Sequence, residues 1–255
     1  MNNGTAPPRL LTRSLRFAFR LVLLLWIVHL GAMLLGLELG YLGVLPRTVT
    51  GLWGILFSPL IHADFTHLIS NSVPLFVLTT ILMYFYRRVA TSAFLMLYVL
   101  TGLAVWLLAD LPLVEAILGL GRGRSFHIGA SGVVYALAAF VVASGAFRRN
   151  LRAVILALIV VFLYGGMIWG VLPTQPGVSW ESHLLGGIVG VFVAYWFKES
   201  VEHGEQRPQY SWEEQPEPER ERRPYYFDRD LFERTKKERR QDNANGSYRL
   251  PDWFQ

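Results

Sequence analysis

A six-span, all-α membrane protein with a hydrophilic, disordered C-terminal tail is the fold class this sequence predicts, on three observations. Apolar residues make up 53% of the 255, with a mean hydropathy of +0.34, and they gather into long blocks instead of recurring at the period of a soluble core. Six such blocks, at 21–37, 65–86, 89–109, 125–147, 153–172 and 182–197, approach or exceed the ~17 residues that a helix needs to cross a bilayer. From Ser200 onward the chain instead carries 11 Lys and Arg against 13 Asp and Glu. Proline-broken, mixed-charge stretches such as "EEQPEPERERRPYY" read as a solvated linker.

The first block follows Arg9, Arg13, Arg16 and Arg20 and has no small-residue cleavage site near its end, so a retained helix is expected. Lys and Arg stay on the cytoplasmic side of span ends, and they sort the remaining loops. With the N-terminus inside, the cytoplasmic flanks hold those four arginines with Arg87, Arg88, Arg148, Arg149, Arg152 and Lys198, while the opposite loops hold Arg47, Arg122 and Arg124. Ten against three sets both termini in the cytoplasm. The expected divisions are a cytoplasmic N-terminal segment 1–14, a six-helix domain 15–199 and a cytoplasmic charged tail 200–255. Within the tail, "DRDLFERTKKERR" near 228–240 fits either a helix on a membrane surface or partner, or a flexible segment. Interleaved charge signs and the lack of an aromatic-basic module argue against nucleic acid, and the tail's partner stays unassigned. With no cysteine in the chain, disulfides, thiolate metal sites and cysteine nucleophiles are excluded.

Polar groups in hydrocarbon are costly unless paired, which makes them functional candidates. Spans two, four and six all begin at the non-cytoplasmic face, and all three begin unusually. The second opens with "HADFTHLISN" (His62, His67, Asn71), the fourth contains "GASG" (Ser131), and the sixth opens with "SHLLGGIVG" (His183). His67 and Asn71 share a helix face, as do His183, Gly186 and Gly190. Gly132 adjoins Ser131, so small residues let helices four and six approach closely and bring Ser131 toward His183. Tyr135, one turn after Ser131, is placed to stack on the imidazole.

A serine hydroxyl becomes a useful nucleophile when an imidazole accepts its proton, and His183 is the candidate base. An oxyanion formed on a carbonyl needs preorganised donors, which Asn71, His67 and the Ser131 N–H can supply. Gly129 and Gly132 bend the chain and permit close packing. Singly, each motif has a structural reading: "GASG" as helix packing, and His29 as a satisfied interhelical hydrogen bond. His127 is expected in a structural role, with Asp64 and Glu181 in interfacial water. Glu181, two positions from His183, should point away from it. A small transporter would explain polar spans but not their clustering at one face. A metalloprotease would need His-Glu-x-x-His, which is absent.

Taken together, these motifs resemble the rhomboid family of intramembrane serine proteases over about residues 15–199. His62, His67 and Asn71 fill its second-helix pattern; Gly129, Ala130, Ser131, Gly132 and Tyr135 fill its nucleophile motif; His183, Gly186 and Gly190 fill its last-helix pattern. The resemblance implies Ser131 as nucleophile and His183 as general base in a dyad, with His67, Asn71 and the Ser131 N–H stabilising the oxyanion and His62 in support. It further implies cleavage of single-pass transmembrane substrates near the outer face of a bacterial inner membrane, with no metal or cofactor. The alternative is a catalytically inactive relative that binds and escorts membrane proteins, although such relatives usually lose the serine or the histidine. The family's Trp-Arg pair in the first outer loop is missing from "LPRTVTGLWGILFSPLIH", where Arg47 is the available substitute.

Overall fold

The computed structural model describes residues 8–111, 125–148, 150–174 and 179–200, with Thr235, Lys237, Glu238 and Gln241 of the tail. Its long elements are six helices: α1 (Pro8–Leu35), α2 (Phe65–Phe85), α3 (Ala90–Leu108), α4 (Ser131–Arg148), α5 (Leu151–Tyr164, running on as a 3-10 helix Gly165–Val171) and α6 (Trp180–Trp196). No strand occurs among the described residues, apart from a single antiparallel bridge between Val44 and His127. Five of the helices, counting α5 with its extension, are long and apolar enough to span a bilayer, and α6, at 17 residues, falls just short of that length. Spanning helices are forced by the solvent, since lipid cannot satisfy a backbone N–H or C=O.

Local chemistry sets the helix ends. Gly36 adopts a left-handed φ of +64°, and the Leu37 N–H reaches back to the Ala32 carbonyl at 2.9 Å, closing α1. Asp64 caps α2 by accepting the His67 N–H at 2.8 Å, and Asn150 caps α5 by accepting the Ala153 N–H at 2.9 Å. Asp64 is therefore a capping residue, as well as the interfacial carboxylate the sequence suggests. α4 begins at Ser131, six residues later than the apolar run that starts at Ser125. Those six residues are spent on the His127 bridge and on a turn at Gly129, where φ is +105°.

α4 is the most enclosed of the long helices and α1 the least. Its most extensive partner is α6, with α5, α2 and α3 completing the ring, while α1 lies against α2. There Trp26 donates to the Ser72 hydroxyl at 3.1 Å, and His29 sits edge-on to Phe65 with ring centroids 4.9 Å apart. That ring contact, and not the hydrogen bond expected for His29, is what the described residues show. Leu68, Leu78, Leu82, Leu97, Leu137 and Phe140 fill the interior, and apolar side chains such as Phe162 and Ile27 cover the outside, as a lipid-facing bundle requires.

The segment between α1 and α2 folds as short helical turns against α3 at the end of the bundle where α2, α4 and α6 begin, here called the site end. Arg47 donates there to the carbonyls of Ala109 (2.5 Å) and Asp110 (2.7 Å), so its guanidinium serves the C-terminus of α3. The chain divides into Met1–Gln206 and Arg207–Gln255. In the second unit, Thr235 and Glu238 exchange hydrogen bonds in a capping box, the start signal for a helix within the stretch 228–240. The rest of that stretch, Arg122, Arg124, Arg149, Gln175 and most of the tail lie outside the described residues.

Candidate active site

Ser131 is the first residue of α4 and His183 the fourth of α6. The two helices meet backbone to backbone: a Cβ added at Gly186 would fall on the Gly132 carbonyl, and one at Gly190 on the carbonyl of Ala136. This contact brings the Ser131 Oγ to 2.8 Å from the His183 Nε2. On the far side of the ring, His183 Nδ1 lies 2.8 Å from the Gly170 carbonyl. A carbonyl can only accept, so Nδ1 carries the proton and Nε2 presents a lone pair to the serine hydroxyl. Tyr135 stacks on the imidazole with centroids 4.2 Å apart and an interplanar angle of 8°, and its hydroxyl donates to the Met167 carbonyl at 2.6 Å. The ring is thus fixed in plane and in tautomer without a carboxylate.

α2 supplies the other polar groups. The His67 ring lies against Gly129, where a Cβ would collide with Nε2 and Cε1. Glycine at 129 is thus required twice, by its left-handed φ and by the imidazole beside it. Asn71 is buried one turn further on and donates to the His67 carbonyl at 3.0 Å, leaving its second amide hydrogen for another acceptor. His62 packs edge-on to His67, with centroids 5.0 Å apart. Burial, followed by the His67 imidazole, lowers the pKa of His62 to about 4, so this residue is neutral at physiological pH. The structure therefore joins Ser131, His183, Tyr135, Gly132 and Gly186 in direct contact, and sets His67 beside Gly129, with His62 and Asn71 attached to His67.

Two contributions escape sequence reasoning. Gly170 and Met167 act through backbone carbonyls, and a carbonyl leaves no mark on residue type. The second omission is a polar cluster beside the site, made by Asp110, His127 and Glu181. Glu181 is half-buried and turned toward Asp110, whose N–H it accepts at 3.0 Å, so its partner is Asp110 and not His183. Burial works against ionisation of Asp110, yet His127 and the Ser125 N–H hold its carboxyl below the usual range.

A sequence profile described as Rhomboid domain matches residues 49–200, a range that contains every residue of this site. A Mycobacterium bovis protein and a Mycobacterium tuberculosis protein, both described as uncharacterized, are 36% identical to this chain over 177 residues, covering 68% of it and 71% of each of them. A Mycobacterium leprae protein, likewise described, is 36% identical over 151 residues, covering 56% of this chain and 55% of its own.

Proposed function

Because this chain belongs to the rhomboid family, we propose that it is an intramembrane serine endopeptidase that cuts single-pass membrane proteins within or beside their transmembrane segments. The observation that carries the reading is the 2.8 Å approach of Ser131 Oγ to a His183 Nε2 whose lone pair is freed by the Gly170 carbonyl. In this mechanism Ser131 Oγ attacks the scissile carbonyl while Nε2 takes its proton. The Ser131 N–H, at the start of α4, and the donors of His67 and Asn71 stabilise the oxyanion. The imidazolium returns the proton to the leaving amine, and water then hydrolyses the acyl-enzyme by the same route. Incubation of the purified protein with a generic rhomboid substrate, followed by mass spectrometry of the fragments, tests this. The expected cut lies in the non-cytoplasmic half of the transmembrane segment; cleavage confined to soluble stretches opposes the proposal.

The same proposal places both termini in the cytoplasm of a bacterial cell, with the site end facing outward. A cysteine at Thr48 should react with an impermeant thiol reagent applied to intact cells, and one at Asn150 should not. The native chain has no cysteine to obscure the result. Reversed labelling overturns the orientation.

Asn71→Ala separates an oxyanion donor from a packing residue. Loss of one preorganised donor costs about 3 kcal/mol, roughly a hundredfold or more in kcat. The expected result is that fall in kcat with a smaller change in KM. Normal turnover in a protein of lowered Tm would instead make Asn71 a structural tie between turns of α2.

A further inference from the structure

We propose that Asp110, His127 and Glu181 form a binding site for one divalent cation of the Zn2+ class at the site end of the bundle. The three come from separate segments: the turn that ends α3, the bridge before α4, and the first turn of α6. One ligand atom from each lies within 4.8 Å of the others. Asp110 and His127 are buried and Glu181 is half-buried, so the Asp110 carboxyl and the His127 ring are largely shielded from bulk water.

The imidazole supplies the independent sign of a ligand. His127 is 5% exposed, and its Nε2 is paired with Asp110 Oδ2 at 3.3 Å, outside hydrogen-bond geometry, with no other partner among the described residues. Its Nδ1 is already engaged, with Ser179 Oγ at 2.5 Å and Ser182 Oγ at 3.3 Å. A metal-ligating histidine has this arrangement, with one ring nitrogen held by an outer partner and the other aimed at the ion. Zn2+ bonds of roughly 2.0–2.1 Å at the tetrahedral angle set neighbouring ligand atoms about 3.3 Å apart. The Nε2 to Oδ2 separation already matches that spacing.

The remaining polar atoms are placed as supports. Asp110 Oδ2 accepts the Ser125 N–H at 2.9 Å, and the Asp110 N–H holds Glu181 Oε1. Among the described residues, the nearby cation, Arg47, is committed to main-chain carbonyls, including that of Asp110. One imidazole with two carboxylates suits Zn2+ and leaves a position for water, whereas Ca2+ prefers an all-oxygen shell. A bound ion would fasten the first turn of α6, two residues before His183, to the end of α3 and the lead-in to α4.

The test is calorimetric titration of the chelator-treated full chain in detergent with ZnCl2, beside CaCl2. Expected is one saturable Zn2+ site per chain, no comparable Ca2+ site, and affinity at least about tenfold weaker in Asp110→Asn and in His127→Gln. Zn2+ should raise the Tm of the native chain and leave that of Asp110→Asn unmoved. Absence of a saturable site, or affinity within twofold of native in both variants, overturns the proposal. Should a variant fail to fold, X-ray absorption of the Zn2+-loaded native chain decides: one imidazole in a nitrogen and oxygen shell supports the site. Two or more imidazoles would place the ion at the His62 and His67 pair and overturn it.

Discussion

Ser131→Ala, and separately His183→Ala, are expected to lower cleavage of a transmembrane substrate by roughly 10⁴-fold or more while expression and insertion persist. The hydroxyl and the imidazole act as one unit, so losing either removes the same step and the double variant should be no worse than the singles. The Ser131 side chain is no packing keystone: it is half-buried, and the contact between α4 and α6 is carried by backbone at Gly132 and Gly186. Quantifying product by immunoblot in membranes containing equal amounts of each variant checks this. Appreciable cleavage by the Ser131→Ala protein would rule out Ser131 as the nucleophile.

Gly186→Val should have the next largest effect, because the obstacle it meets is main chain. The new Cβ would land on the Gly132 carbonyl oxygen, which no rotamer change can move. α4 and α6 must then separate, at a typical cost of about 1–3 kcal/mol for overpacking. A displacement of about 1 Å between reacting groups is enough for a roughly hundredfold loss of rate. The expected outcome is that loss together with a Tm lowered by several degrees. Gly187→Ala is the matched control, since nothing lies within 4 Å of a Cβ there. Equal behaviour of the two variants in thermal melts and turnover would show that the close approach does not hold the site together.

The bundle, and the residues that meet in the heart of the candidate site, were legible in the sequence because membranes leave few ways to place a polar residue. His62, His67, Asn71, Ser131 and His183 stood out against apolar runs, and the arginines sorted which ends of the helices share a depth. Helical spacing correctly placed Tyr135 over His183 and turned Glu181 away from it. What stayed illegible depends on pairing across long separations. The bond from Asp110 to Glu181 is one such pairing, since nothing in the sequence brings together two residues 71 positions apart. His29 carries the same residue type as the site histidines, and only the packing of α1 on α2 shows that its ring meets Phe65. The late start of α4 was hidden because Phe126 and Ile128 are as apolar as the helix that follows, while the Gly129 turn depends on φ.

The lengths of α4 and α6 have a consequence for the lipid around them. At 18 and 17 residues they rise about 27 and 26 Å, at the short end of what crosses the ~30 Å hydrocarbon core of a typical bilayer. With the Arg148 end of α4 at one edge of the hydrocarbon, Ser131 would lie a few ångströms beneath the opposite edge unless the membrane thins to meet it. On the proposed function, that depth would keep the hydroxyl among acyl chains yet within a molecule or two of bulk water, so the water for hydrolysis would not travel far. Bilayer thickness would then act as a dial on the proposed reaction: short-chain lipids would bring the site end toward the aqueous phase, and long-chain lipids would draw it under.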